Sequence, residues 1–195
     1  MYKGYEDMRI TFVRHGTTVS NLLKTYSEDD TPLCEAAYKD LLITKRRLED
    51  FRFQKVYSSP LLRVRQTAKV LGFENPICDN RLKECNFGLF KPKTYEQLEK
   101  EYPVELKAWF CDAKNGRPPQ GESSFDQFER VSHFLDEISK TATDTLIICH
   151  YGTIAMGMAW TLKNFELWSH FVPVNGGITE IETDGKHSSI RRFNY

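Results

Sequence analysis

The sequence predicts an α/β protein with a mainly parallel central sheet. Three short runs of β-branched and apolar residues, at 9–13, 54–58 and 145–149, are typical of buried strands. Each is followed by a segment with helical periodicity, and strands that alternate with helices indicate parallel pairing. The 195 residues are enough for one domain with a sizeable core, so we predict a single domain over residues 1–195.

The first half of the chain is predicted to alternate strands and helices. Within the helix after the first loop, Leu41, Leu42 and Leu48 are candidate core positions. Ser59 suits an N-cap and Pro60 a first helical residue for the helix that follows the second strand. The predicted elements, in order, are a strand at 9–13, a turn and short helix at 17–24, a loop at 29–32, a helix at 34–51, a strand at 54–58 and a helix at 60–71 that ends at Gly72.

The second half contains the longest predicted helix and a closing hairpin. Ser123 or Ser124 is expected to cap that helix, and Pro103 to interrupt the one before it. Asp184-Gly185 is turn chemistry between two strands. The predicted elements are an ordered loop at 81–92, a helix at 94–110, a loop at 116–121, a helix to about 139, a strand at 145–149, a helix at 151–162 and hairpin strands at 177–183 and 188–193.

Composition excludes several classes of protein. Lys plus Arg and Asp plus Glu are 27 each, so the formal net charge is zero, which gives no reason to expect a nucleic acid or an anionic membrane as partner. No apolar run approaches the length of a membrane span, and residues 1–8 are too polar for a secretory signal. The five cysteines include no Cys-x-x-Cys pair, which argues against disulfides and a cysteine zinc site and favours a cytoplasmic protein.

Two histidine motifs fall at the ends of predicted strands. Arg14-His15-Gly16 follows the first strand and His150 the third, and carboxyl ends of parallel strands meet at one edge of the sheet, where ligands bind. A neutral histidine held in line can attack phosphorus, and an arginine beside it can hold the phosphoryl oxygens. Gly16 would let the backbone approach an anion and point its N–H toward it. The alternative interpretation is a strand-end histidine beside a solvated arginine.

Two further charged residues are candidates for the same site. Arg63 falls in the first turn of a predicted helix, where the helix N-terminus already favours anions, whereas Arg65 is interpreted as a surface residue. Glu84 lies in a loop with apolar neighbours, where a carboxyl group can act as a general acid toward a leaving oxygen. An ordinary solvated glutamate is the alternative.

In these motifs the sequence resembles the histidine phosphatase superfamily, the phosphoglycerate-mutase-like group marked by an Arg-His-Gly motif. The resemblance extends from Thr11 to about Glu182. The matching segments, in family order, are 12–16 with Asn21, 57–63 with 66–68, 81–84 with 87–88, 120–123, 148–150 with Gly152, and 175–179.

The resemblance implies a fold, a reaction and roles for individual residues. The fold would be the family's three-layered α/β/α sheet, and no metal or cofactor would be required. His15 would be the nucleophile that becomes phosphohistidine, and Glu84 would protonate the leaving oxygen and then activate water. The residues implied to hold phosphoryl oxygens are Arg14, Arg63, His150 and Asn21, with help from backbone N–H groups.

The sequence departs from the family at positions that bear on the substrate. Tyr151 stands where the family usually has glycine, and it could narrow the pocket or stack on a substrate. Ala155 replaces a common arginine, and Phe90-Lys91-Pro92 replaces a Trp-Glu-Gly run. Lys91 and Lys93 could add positive charge near the site, but we interpret them as solvated.

The predicted function is therefore hydrolysis of a small phosphomonoester through phosphohistidine, in an enzyme whose oligomeric state is left open. A phosphoglycerate mutase is the first alternative, although the 66 positions from Glu84 to His150 fit the shorter phosphatase branch. A binding module for phospho-ligands that has lost catalysis is the second, and it would be expected to lack His15 or Glu84.

Overall fold

A six-stranded sheet with helices on both faces organises the described part of the chain, residues 7–195 of the computed structural model. The expectation that residues 1–8 are not a secretory signal lies, for residues 1–6, outside the described residues. The strands are β1 (Met8–Arg14), β2 (Lys55–Ser58), β3 (Ile77–Cys78), β4 (Thr145–Cys149), β5 (Ile178–Thr183) and β6 (Ser188–Arg192). The α-helices are α1 (Val19–Leu23), α2 (Glu35–Leu48), α3 (Leu62–Leu71), α4 (Tyr95–Glu101), α5 (Pro103–Cys111), α6 (Ser124–Ile138) and α7 (Tyr151–Thr161).

The sheet is mainly parallel, as predicted, with an antiparallel edge. The strand order is β3-β2-β4-β1-β5-β6, in which β1 runs parallel to β4, β4 to β2 and β2 to β3. The hairpin of β5 and β6 pairs antiparallel to β1. The register places Arg14 beside Cys149 and Ser58 beside Ile148, so the carboxyl ends of β1, β2 and β4 meet at one edge.

Two hydrophobic cores lie on opposite faces of the sheet and produce the predicted three layers. Phe12 of β1 packs in the core that includes Phe134 of α6 and Ile154 of α7. Val13, the next residue of β1, belongs to the other core, with Leu41 of α2. Because burial of each such side chain contributes about 1.5–3 kcal/mol, both faces of β1 anchor it at the centre of the molecule.

A third, smaller core packs helices α4 and α5 against the rest of the molecule. Its buried members are Phe90, Leu98 and Leu106, and the rings of Tyr26 and Trp109 pack against them. Helices α4 and α5 are separate because Pro103 begins α5, as expected from a residue that lacks a backbone N–H. Because Tyr26 belongs to this core, α4 and α5 lie beside the segment that follows α1.

Capping residues define the starts of two helices. Ser123 caps α6, as predicted, and Thr18 caps α1, each through a reciprocal capping box. The turn between β5 and β6 contains Asp184-Gly185, and Gly185 has a φ of 82°, which favours glycine.

Three predictions about the fold were wrong. Leu42 is 51% exposed, because the side of α2 that packs on the sheet carries Leu41 and Leu48. Helix α3 begins at Leu62, with Leu61 in the N-cap position and no side-chain cap, so Ser59 does not cap it. Strand β3 was missed, since its two residues are both exposed and show no hydrophobic pattern.

None of the helices within residues 7–195 combines the length and apolar character that crossing a bilayer requires. All five cysteines are free thiols.

Candidate active site

The two predicted histidines come together at the carboxyl edge of the sheet. Their ring centroids are 5.2 Å apart, at an interplanar angle of 64°. The hydrogen bonding between β1 and β4 continues one residue past β1, where the His15 N–H donates to the Cys149 carbonyl at 3.0 Å. Both side chains are buried, His15 with 3% of its surface exposed.

His15 is held in the tautomer that a nucleophile requires. Its Nδ1 lies 2.8 Å from the Gly16 carbonyl oxygen. Since a carbonyl only accepts, Nδ1 carries the proton and Nε2 of the neutral ring keeps its lone pair. Burial, followed by the positive charges of Arg63 and Arg14, holds the pKa of His15 well below its usual value. The ring is therefore neutral at physiological pH.

Gly16 packs closely against α2. Its N–H, which was predicted to point toward an anion, donates to Thr67 Oγ1 at 3.1 Å. A Cβ on Gly16 would lie 2.8 Å from a methyl carbon of Leu41 and 3.2 Å from Ala37. Glycine thus allows the loop after β1 to approach α2 closely.

His150 has one ring nitrogen engaged and one without a partner. Nε2 lies 2.8 Å from Ser59 Oγ. Ser59 therefore contacts the imidazole ring of His150 and does not cap α3. Nδ1 is buried, yet it finds no partner among the described residues. Burial, the charge of Arg63 and the nearby His15 are the main causes that lower the pKa of His150 well below its usual value.

Arg14 and Arg63 are each tethered through one end of the guanidinium. Arg14 Nη1 donates to the Pro173 carbonyl at 2.7 Å, and Arg63 Nη1 donates to the Glu28 carbonyl at 2.9 Å. Burial lowers the pKa of both arginines, and the Glu84 carboxylate opposes that effect. Both remain cations at neutral pH.

Three buried nitrogens of this site lack a hydrogen-bond partner among the described residues: Nε of Arg14, Nε of Arg63 and Nδ1 of His150. A buried donor left unpaired costs about 1–3 kcal/mol, and more when the group is charged. Two unpaired cationic donors and an unpaired histidine nitrogen beside the neutral ring of His15 form a cradle suited to a tetrahedral oxyanion.

Glu84 lies at the N-terminus of α7 and belongs to the same site. Its Oε1 accepts from the Gly152 N–H at 3.1 Å and from Gln127 Nε2 at 3.3 Å. A Cβ on Gly152 would lie 2.4 Å from that oxygen and 2.6 Å from Gln127 Nε2, so the carboxylate can occupy this position only beside glycine. Its field reaches both arginines, as their pKa shifts show.

Arg130 of α6 clamps the segment that carries Glu84. Its guanidinium donates to three carbonyl groups in the loop, those of Arg81 (2.7 Å), Lys83 (2.8 Å) and Glu84 (3.2 Å). Glu122 pairs with the same guanidinium through both carboxylate oxygens, at 2.5 and 3.0 Å. We call Arg130 and Glu122 the clamp pair. Charge-assisted bonds of this kind are the strong ones, so the loop is rigid at the acid.

The remaining predicted residues, Asn21 and Tyr151, lie at the margin of the site. Asn21 Oδ1 accepts from the Thr18 N–H and from Asn175 Nδ2, which also donates to the His15 carbonyl. The side-chain N–H groups of Asn21 make no hydrogen bond with any residue from 7 to 195, so they can donate to a ligand. The Tyr151 ring lies 5.3 Å from the Arg14 guanidinium carbon, so it stacks on a site arginine in the geometry of a cation–π contact.

A cavity of about 190 Å³ opens beside Arg63 and Glu84. Lys91 lines it and forms an ion pair with Asp29 at 3.3 Å, in contrast to its interpretation as a solvated lysine. Lys93 pairs instead with Glu101, outside this cavity.

Sequence reasoning missed the residues that support the catalytic groups. Thr67, Gln127 and Arg130 received no role, and Ser59 was assigned only as a helix cap. Gln127 and Arg130 are three positions apart on α6, a spacing that places them on one helix face. That spacing does not reveal what the face contacts, because Glu84 is more than 40 positions away.

A sequence model of the histidine phosphatase superfamily (branch 1) matches residues 10–195. The chain belongs to this family. Among relatives, it is 29% identical over 172 residues to "Adenosylcobalamin/alpha-ribazole phosphatase" of Salmonella typhimurium, covering 84% of this chain and 85% of that one. It is also 29% identical over 133 residues to "Probable phosphoglycerate mutase GpmB" of Erwinia tasmaniensis, covering 66% of this chain and 62% of that one.

The fold matches solved structures over nearly its whole length. The alpha-ribazole phosphatase of Shigella flexneri superposes with a TM-score of 0.90 at 26% identity, covering 96% of both chains. The three-layered α/β fold and the family resemblance predicted from the sequence are both confirmed.

Proposed function

We propose that this protein is a phosphatase that hydrolyses a small phosphomonoester through a phosphohistidine on His15. The observation that carries the proposal is the cradle of three unpaired buried nitrogens beside a neutral histidine of fixed tautomer. The family and its alpha-ribazole phosphatase members support the same reaction class.

In the first step, His15 Nε2 attacks phosphorus and forms an N–P bond. The bond from phosphorus to the ester oxygen breaks, and that oxygen takes the proton of Glu84. Arg14, Arg63 and His150 hold the three equatorial oxygens, and their positive charge and hydrogen bonds stabilise the transferring group. A Ser59 hydroxyl that donates to Nε2 of His150 leaves the proton on Nδ1, the nitrogen available to the phosphoryl group.

In the second step, water attacks the phosphohistidine. Glu84, now a carboxylate, accepts a proton from the water, the N–P bond breaks and its electron pair returns to Nε2. Inorganic phosphate leaves and both residues regain their starting states. The same carboxyl group thus serves as acid and then as base, which requires that it be held in place by its contacts with Gly152 and Gln127.

The fold and the composition support further proposals about the protein. A single domain over residues 1–195 agrees with one sheet carrying two cores on its faces. Five free cysteines support a cytoplasmic setting, and zero net charge gives no support for a nucleic-acid partner.

The decisive experiment is capture of the intermediate. Rapid quench with a ³²P-labelled phosphomonoester should give acid-labile, base-stable label on the protein, and His15→Asn should give neither label nor turnover while it keeps the wild-type circular dichroism spectrum. His133→Asn, which removes an exposed histidine outside the site, is the matched control and should label normally. Turnover by His15→Asn close to wild type would refute the nucleophile.

A further inference from the structure

The cavity beside the site has a charge pattern that phosphoryl transfer does not use. Arg63 and Glu84 border it, and the rest of its wall includes Lys83, Lys91 and Asp29. In the proposed reaction, Arg63 holds the phosphoryl group and Glu84 faces the leaving oxygen. The alcohol part of the substrate is attached to that oxygen, so it extends into this cavity.

Lys83 and Lys91 both line the cavity, and one of them, Lys91, forms an ion pair with a carboxylate. Lys91 Nζ is 3.3 Å from Asp29, whose side chain is 64% exposed, so water screens the attraction between the two charges. The Lys83 ammonium makes no ion pair or hydrogen bond with any residue between 7 and 195. Apart from Arg63 and Glu84, which the reaction occupies, the wall carries a surplus of one positive charge.

The neutral part of the wall is also mainly polar. It consists of Ser27, Cys85, Asn86 and the apolar Leu61. A volume of about 190 Å³ suits a small alcohol part, and a wall of this composition gives little apolar surface to a fused aromatic ring.

Resting on the proposed function, we propose that the preferred substrate is a small phosphomonoester whose alcohol part carries a carboxylate, bound by Lys83 and Lys91. One carboxylate matches the single surplus charge, and its hydrogen bonds to ammonium groups are charge-assisted. A second phosphate would bring a charge of about −2 at neutral pH, which exceeds that surplus.

Matched substrate pairs test the class. 3-Phosphoglycerate differs from glycerol 3-phosphate, and phosphoserine from phosphoethanolamine, by the carboxylate. We expect kcat/KM to be at least about 10-fold higher for the carboxylated member of each pair, as hydrogen bonds to charged groups imply. p-Nitrophenyl phosphate, which lacks a carboxylate, reports the phosphatase reaction itself.

Lysine variants test the assignment. Lys83→Met and Lys91→Met should each reduce the preference at least about 3-fold, mainly through KM of the carboxylated substrate, and leave turnover of glycerol 3-phosphate within about 2-fold of wild type. Lys93→Met removes a neighbouring cation that pairs with Glu101 outside the cavity, and it should leave the preference unchanged.

The outcomes separate this inference from the proposed function. Hydrolysis of p-nitrophenyl phosphate without a carboxylate preference, or with a preference that both lysine variants retain, would overturn the inference alone. So would hydrolysis of alpha-ribazole 5′-phosphate more than 10-fold faster than of every carboxylated ester. Failure to hydrolyse any ester, with no labelled enzyme, would overturn the proposed function as well.

Discussion

At the scale of single residues, the site depends on which nitrogen or oxygen of each group is left uncommitted. His15 has Nε2 uncommitted because Nδ1 donates to Gly16, and His150 has Nδ1 uncommitted because Nε2 is engaged by Ser59. The two histidines therefore use opposite ring nitrogens. The carbonyl of Gly16 only accepts and so fixes the tautomer of His15, whereas the Ser59 hydroxyl can donate or accept and fits either tautomer of His150.

The role of Glu84 makes a prediction about leaving groups. Glu84→Gln keeps the shape of the side chain but removes the transferable proton, so turnover of alkyl phosphates should fall by about 10²–10⁴-fold. The loss should be much smaller for p-nitrophenyl phosphate, whose leaving oxygen needs no proton. Steady-state kinetics on an alkyl and an aryl ester measure the difference. Equal losses on both would exclude Glu84 as the acid.

The lowered pKa of His15 makes a prediction about pH. The ring signal of His15 in NMR should not titrate at the usual histidine value near 6.5 but at lower pH. Arg14→Met removes one charge that lowers this pKa, so it should shift the midpoint upward. A wild-type midpoint at or above 6.5 would contradict the burial argument.

The same shifts affect stability. Between the lowered folded pKa values of His15 and His150 and the unfolded value near 6.5, the unfolded chain binds more protons than the folded one. Stability from the two neutral rings is therefore fully present above about pH 6.5 and is lost as the pH falls through the folded values.

At the scale of elements, helix ends and helix faces position the catalytic groups. The N-terminus of α7 supplies the Gly152 N–H to Glu84, and one face of α6 supplies Gln127 and Arg130. Strands β1 and β4 carry the histidines at their ends. The acid thus reaches the histidines only because α6 and α7 pack together on one face of the sheet.

The clamp pair makes a prediction at this scale. Arg130→Met with Glu122→Gln removes both charges together and avoids leaving one unpaired. Because Glu84 would lose its fixed position, kcat on alkyl phosphates should fall by about 10- to 100-fold, with less effect on p-nitrophenyl phosphate. Arg117→Met is the control, since it breaks an exposed ion pair between Arg117 and Asp126, a residue of α6 like Arg130.

A second comparison isolates the path through the acid. Added to Glu84→Gln, the clamp double substitution should cause little further loss, since both changes act on one step. Additive losses would show that the clamp pair acts on stability or substrate binding and not through Glu84.

At the scale of the whole molecule, the arrangement of loops distinguishes hydrolysis from phosphoryl transfer between substrates. A mutase must keep water from phosphohistidine while the substrate reorients. The most obvious loop near the site, residues 116–121, is short and polar, and it is pinned by hydrogen bonds from Leu89 to Pro119 and from Asn86 to Gln120. It does not provide a cover, so water should reach the intermediate.

This arrangement predicts hydrolysis without isomerisation. With 3-phosphoglycerate and catalytic 2,3-bisphosphoglycerate, we expect release of inorganic phosphate and little 2-phosphoglycerate, with no need for the bisphosphate. Coupled assays for both products measure the ratio. Isomerisation much faster than phosphate release from every ester tested would support the alternative hypothesis of a mutase. The similarity to "Probable phosphoglycerate mutase GpmB" is the reason for testing that alternative.

The sequence by itself determined the layered α/β fold, the family and the candidate residues for the site. Strand composition and helix capping are local, so β1, β4 and the cap at Ser123 could be predicted from neighbouring residues. The arginine and histidine motifs could be read because they follow strands whose ends must meet at one edge.

Only the tertiary structure decided what each group contacts. Gly16 gives its N–H to Thr67, Ser59 turns to His150, and Arg130 holds the loop of Glu84. These contacts join residues about 45 to 90 positions apart in sequence. They depend on how the layers pack, and no local pattern of residues encodes the packing of two distant segments.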